Sequence, residues 1–204
     1  MKEKTFQRKD QVLEAALDEF ITNDYEKASL NTIIKSAGIS KGTFYYHFKN
    51  KEALYLYLLK TSADTKWQYI NQQTRSHIVD FNRLDIFDKF LYQAELGAGF
   101  AALYPKYHTL SLMFSKEKNN PIYRTAIKFL GGNSTDIITP MVREAISKHE
   151  IKEEFDETFI VKILRHLLFE FDQIFDEESD YEKNKVLANL KNYVNFIKYG
   201  LKSG

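Results

Sequence analysis

Apolar residues recur along this 204-residue chain at the three-to-four spacing of α-helices. Val12, Leu13, Ala16, Leu17, Phe20 and Ile21 form one such stripe and predict a first amphipathic helix. Ile33, Ile34 and Ala37 follow Ser29, a good N-cap type, and predict a short helix over residues ~30 to 37. Gly38 closes it, because glycine takes the left-handed conformation that ends a helix without strain. Ser40 starts the chain again, and the spacing predicts a second short helix over ~41 to 48 with Phe44 and Phe48 on one face. Asn50 is a further N-cap, ahead of a long helix from Lys51 that carries Leu54, Tyr57, Leu58, Trp67 and Ile70.

The same grammar continues to the end. Phe81, Leu84, Phe87, Leu91 and Ala94 predict a helix that Gly97-Ala98-Gly99 should loosen, and Tyr104-Pro105 opens a short helix with Tyr107, Leu110, Met113 and Phe114. Asn119-Asn120-Pro121 is a second break, and Gly131-Gly132 and Pro140 interrupt the segment that follows. From Phe155 to Phe175 the apolar face is too wide for one partner helix, and after the acidic stretch Asp176 to Asp180 comes a helix bearing Val186, Leu187, Leu190, Tyr193, Val194, Ile197 and Leu201. No alternating apolar run bounded by hairpin turns is present. An all-α protein is expected.

The second short helix has chemistry on its outer side. Opposite Phe44 and Phe48 it offers Lys41, Thr43, Tyr45, Tyr46 and His47, hydrogen-bonding and aromatic groups of the kind a groove-reading helix presents. Three consecutive large polar aromatics on so short a helix cannot all be buried. Gly42 lets backbone come close to a sugar-phosphate chain, at a helix-propensity cost of ~1 kcal/mol. Lys51, a cation beside a helix N-terminus, is disfavoured unless an anion is shared there, and a DNA phosphate is the obvious anion.

The stretch from Arg8 to Leu59, and most closely SKGTFYYHFKNKEAL, resembles the tetracycline-repressor (TetR) family of bacterial transcriptional regulators. Carried over residue by residue, the resemblance implies base-edge or phosphate contacts from Ser40, Lys41, Gly42, Thr43, Tyr45, Tyr46 and His47. It also implies a phosphate clamp at Lys51, and Ser29, at the head of the preceding helix, joins this DNA-binding set. The implied organisation is a three-helix helix-turn-helix domain over residues 1–50 and a helical ligand-sensing and dimerisation domain over 51–204. One departure is visible: the family usually has glycine where this chain has Asp24, a residue that tolerates a left-handed backbone better than most. Lys2, Lys4, Arg8 and Lys9 before the first stripe read as a solvated terminus.

Composition narrows the classes. With 44% hydrophobic and 15% aromatic residues the chain can bury a real core, and a net charge of +1 suits a protein whose basic surface is local. There is no cysteine, hence no disulfide and no thiolate metal site. The N-terminus lacks an apolar signal region, no run approaches the ~20 apolar residues of a membrane span, and a cytoplasmic protein without membrane contact is expected. Catalytic and phosphate-loop motifs are missing, and His108, His149 and His166 lie apart from one another, so neither an enzyme, a cofactor nor a metal is expected.

Two further sets complete the expectation. Phe100, Tyr104, Tyr107, Met113 and Phe114 cluster at helix breaks, where a cavity can open for a small, largely apolar effector, with Glu95 or His108 as a polar handle. Leu164, Leu168 and Phe171, with Leu190, Val194 and Ile197, lie on the last two helices, whose excess apolar width would form half of an intermolecular four-helix bundle. The function expected is a transcriptional regulator, a repressor, that binds an inverted-repeat operator as a homodimer and is released by the effector. The alternatives are a ligand-blind DNA-binding or partner-binding helical protein and a small-molecule carrier.

Overall fold

The computed structural model describes residues 2–76, 83–131, 138–152, 154–169 and 183–201. Among them every regular element is helical: α1 (Lys2–Thr22), α2 (Leu30–Ser36), α3 (Lys41–His47), α4 (Lys51–Ser76), α5 (Ile86–Leu103), α6 (Pro105–Lys116), α7 (Pro121–Phe129), α8 (Ile138–Ser147), α9 (Glu157–Phe169) and α10 (Lys183–Leu201), with a 3-10 turn at Glu117–Asn119. None of these helices is long and apolar enough to cross a membrane.

The chain forms two compact units, each built from two stretches of sequence: 1–72 with 103–132, and 73–102 with 133–204. Although the helix-turn-helix ends near residue 50, α6 and α7 share a core with the first three helices. Val12, Ala16 and Phe20 of α1 meet Ile33, Phe44, Leu54 and Leu58, and this cluster is completed by Leu110 of α6 and by Ile122 and Ala126 of α7. Lys106, at the start of α6, adds ion pairs to Glu14 and Asp18 of α1.

Asp24 does not use a left-handed backbone; among the described residues the positive-φ positions are Gly38, Gly131 and His149. Its carboxylate instead accepts the Lys27 N–H at 2.9 Å, and its carbonyl accepts the Ala28 N–H at 2.9 Å. An aspartate that caps its own turn replaces the glycine by hydrogen bonding rather than by conformation. The N-terminus also differs from a frayed arm, since α1 begins at Lys2.

In the second unit Ile86, Phe87 and Phe90 of α5 pack with Ile138, Val142 and Ala145 of α8, Ile160 and Leu164 of α9, and Leu190, Val194 and Ile197 of α10. Gly97-Ala98-Gly99 does not break α5, which runs on to Leu103; two glycines lower propensity, but surrounding packing outweighs that cost. Pro140 lies in the first turn of α8, where its missing N–H would have had no intrahelical partner. Buried Lys89 donates to Glu144 at 2.9 Å, and Lys198 pairs with Asp85 at 2.8 Å.

Asp85 caps α5 through the N–H groups of Phe87 and Asp88. Burial alone would raise its pKa, but the Lys198 contact and these N–H bonds outweigh it and hold the carboxyl below the usual range. A depressed carboxylate contributes stability that is present above its unfolded pKa and is lost as pH falls through the folded value. Asp85→Asn should therefore flatten the acid side of the stability profile. Urea unfolding between about pH 7 and pH 3 checks it, with the wild type losing more stability on acidification than the variant.

Candidate nucleic-acid interface

The α2–α3 turn is built from local chemistry. Ser29 caps α2 by accepting the Thr32 N–H at 3.3 Å, and its own N–H is held by the Glu19 carboxylate at 2.8 Å. At the other end Gly38 adopts φ +62°, which lets the Gly38 and Ile39 N–H groups return to the carbonyls of Lys35 and Ile34. Ser40 then caps α3, its hydroxyl accepting the Thr43 N–H at 3.1 Å and sharing a hydrogen bond with the Thr43 hydroxyl at 2.9 Å.

Sidedness on α3 is strict. Phe44 is fully buried and Phe48, at the C-cap, is nearly so, with ring centroids 6.0 Å apart. Tyr45 and Tyr46 are 56% and 75% exposed, so most of each ring faces outward although Tyr45 also stands edge-on to Phe44. Lys41 and Gly42 are exposed, Thr43 and His47 half-buried, and the His47 ring stands edge-on to Tyr46 at 5.0 Å. Gly42 is not required by the fold. A Cβ built there would meet only the Ser40 hydroxyl, at an ordinary 3.7 Å. Lys41, Gly42, Tyr45 and Tyr46 thus form an outward surface with a cation, bare backbone and two phenol groups.

Two lysines act within the domain. Lys9, from α1, donates to the Tyr57 hydroxyl at 3.1 Å and lies 4.3 Å over that ring, which itself packs edge-on against Phe48. Lys51 heads α4 and is the residue for which the resemblance implies a phosphate clamp. Its ammonium donates to the carbonyls of Tyr25, Glu26 and Ala28 at 2.7, 3.3 and 3.0 Å, and sits 4.5 Å over the Tyr25 ring. The Tyr25 N–H is taken by the buried Glu117 carboxylate at 2.6 Å. Neither Lys9 nor Glu117 carries a local sequence signal for these contacts, since each partner is far away along the chain.

The effector set is distributed differently from a single lining. Phe100 is buried and Glu95 exposed on α5, in the second unit. In the first unit Tyr107 and Phe114 are half-buried against the domain core, Phe114 stacks on Tyr123 at 4.9 Å, Tyr104 stacks on Tyr107 at 6.3 Å, and His108 and Met113 are half-buried. Of the dimer set, Leu164, Leu190, Val194 and Ile197 are buried in the core of their own unit. The Leu168 side chain and Phe171 lie outside the described residues. The opposite side of α10 bears Phe196 and Tyr199, 79% and 80% exposed. Two aromatic residues off the apolar stripe were the signal available for them.

Residues 12–58 match the bacterial regulatory proteins of the tetR family. Over 133 residues the chain is 31% identical to the HTH-type transcriptional regulator QacR of Staphylococcus aureus, covering 61% of this chain and 70% of that one. It is 26% identical over 164 residues to the fatty acid metabolism regulator protein of Bacillus subtilis, covering 78% and 76%. Among solved structures, a TetR family transcriptional regulator from Chloroflexus aurantiacus superposes with a TM-score of 0.76 over 99% of this chain and 98% of that one, at 20% identity. The transcriptional regulator FadR of Bacillus subtilis, solved in complex with stearoyl-CoA, superposes with a TM-score of 0.63 over 93% of this chain and 97% of that one, at 22% identity. With a capped helix-turn-helix, an outward-facing α3 and a relative of this similarity, the chain belongs to the TetR family of helix-turn-helix transcriptional regulators, not to a class of enzymes.

Proposed function

We propose that this regulator is a cytoplasmic repressor that binds an inverted-repeat operator as a homodimer and lets go when a largely apolar effector binds it. The observation that carries the DNA half is α3 itself, with one side anchored by Phe44 and Lys41, Tyr45 and Tyr46 facing out. Ser29, Ser40, Lys41, Gly42, Thr43, Tyr45, Tyr46 and His47 make up the contact set, the lysine and hydroxyls on phosphates and the aromatic tips at base edges. Two such helices in a dimer meet successive major grooves ~34 to 36 Å apart, or a multiple of that.

An operator selected from random duplexes is the test substrate. Tyr46→Ala should weaken it while leaving random-sequence DNA nearly unaffected, and equal affinity of variant and wild type for the operator would overturn the assignment. Gly42→Ala should separate fold from function: helix propensity raises stability by up to about 1 kcal/mol, while a methyl group at the phosphate backbone lowers affinity. Thermal melting and fluorescence anisotropy on the same sample read both signs.

Phe196 and Tyr199, one helical turn apart, supply the apolar surface proposed for the dimer seam on α10. Phe196→Asp with Tyr199→Asp should yield monomers by light scattering with helical content kept. A wild type that is monomeric at micromolar concentration would end the dimer proposal.

The effector class rests on the aromatic side chains of the first unit, with Tyr104 stacked on Tyr107 and Phe114 on Tyr123, and gains support from the stearoyl-CoA held by the Bacillus subtilis FadR. Stearoyl-CoA should raise the melting temperature by several degrees at saturation and weaken operator binding through the linked equilibrium. If it and a panel of lipophilic cations and neutral aromatics do neither, the ligand-blind alternative stands.

A further inference from the structure

We infer that Lys51 is a positioning residue for DNA recognition, whose charge is committed to the α1–α2 turn and not to a phosphate. An ammonium has three N–H donors, and Lys51 has three acceptors: the carbonyls of Tyr25, Glu26 and Ala28 at 2.7, 3.3 and 3.0 Å. The Tyr25 ring covers the cation at 4.5 Å. A phosphate oxygen at this ammonium would have to displace one of these partners.

The turn so held is the one that launches α2. Tyr25 is gripped through both peptide groups, its carbonyl by Lys51 and its N–H by Glu117. Three residues after Glu26 comes the Ser29 cap, with its N–H on Glu19. Ile33 and Ile34 of α2 then share a core with Phe44 of α3. Lys51 is also the first residue of α4, so a single side chain ties the start of α4 to the start of α2 and fixes the frame in which α3 is presented. This rests on α3 being the DNA-contacting helix.

The alternative, a phosphate clamp, makes opposite predictions. Removing a phosphate contact lowers the slope of log affinity against log salt by about 0.9 per contact, whereas removing a lock leaves the slope in place and weakens the operator selectively. Arginine is the sharper probe. A guanidinium serves a phosphate at least as well as an ammonium does, but its planar fork cannot converge on three carbonyls clustered around one point.

Full-length Lys51→Met and Lys51→Arg would be titrated against the selected operator and a random-sequence duplex by anisotropy across a salt series, with Lys41→Ala as the phosphate-contact reference. Both Lys51 variants should bind the operator at least about 10-fold more weakly with the random-duplex slope unchanged, while Lys41→Ala lowers that slope. Arginine restoring wild-type affinity, or methionine lowering the slope as Lys41→Ala does, would overturn the inference. Should the variants fold poorly, the wild type decides: with 15N-labelled lysine, a slowly exchanging Lys51 ammonium signal is expected in the DNA-free protein and should persist unshifted on adding operator. An ammonium that becomes protected only with DNA, or that couples to phosphorus, would overturn it. The DNA-free arm judges Lys51 by itself, so a failure of wild-type DNA binding is distinguishable from a failure of the lock.

Discussion

Phe44→Ala should destabilise the first unit by about 3 to 5 kcal/mol and abolish operator binding with it. The ring is fully buried, stands edge-on to Tyr45 at 5.3 Å, and belongs to the cluster that joins α1, α2 and α4. Truncation removes the transfer free energy of the ring and leaves a cavity that helices tied by short turns cannot close. Against a typical net stability of about 5 to 15 kcal/mol, the loss is large enough to populate the unfolded form. Urea unfolding followed by circular dichroism measures it directly. Operator affinity at low temperature, where the folded fraction recovers, shows whether the outward residues still read DNA once α3 is in place. A change below about 1 kcal/mol would mean that Phe44 does not anchor the helix.

Leu110→Ala should cost about 2 to 5 kcal/mol and weaken DNA binding as well, although Leu110 lies on α6. Its side chain is fully buried in the same cluster as Phe44. Leu112→Ala is the matched control, since Leu112 is 38% exposed on the same helix and should change stability by less than about 0.5 kcal/mol. Equal effects of the two substitutions would contradict the shared core.

The helix-turn-helix was legible because its determinants are local. Ser29, Gly38, Ser40 and Asn50 each act within a few residues of themselves, and Phe44 and Phe48 are related by the helical repeat alone. What could not be read was pairing across distance. Nothing in the neighbourhood of Lys51 announces the Tyr25 to Ala28 carbonyls, and nothing near Glu117 announces the Tyr25 N–H. Amphipathic patterning has a similar limit at α10: it identifies Leu190, Val194 and Ile197 as buried without saying whether the covering surface belongs to the same chain, and here it does. At α5 a local rule was overruled, because glycines weaken a helix by an amount that packing around Phe87, Phe90 and Phe100 readily exceeds.

The interleaving of segments in the first unit bears on how such a regulator can be recombined. A chimera that joins residues 1–50 of this chain to the sensing half of another regulator inherits Val12, Ile33 and Phe44 but loses the wall supplied by Leu110, Ile122 and Ala126, and with it the Glu117 carboxylate that closes the Tyr25 N–H. A single crossover therefore cannot transplant the DNA reader intact. Three junctions are needed, one after α4 has left the reader and a pair bracketing residues 103–132. Exchange of operator specificity between relatives is thus easier by substituting the outward residues of α3 than by swapping domains, and libraries built on this scaffold should vary Lys41, Thr43, Tyr45 and Tyr46 in place.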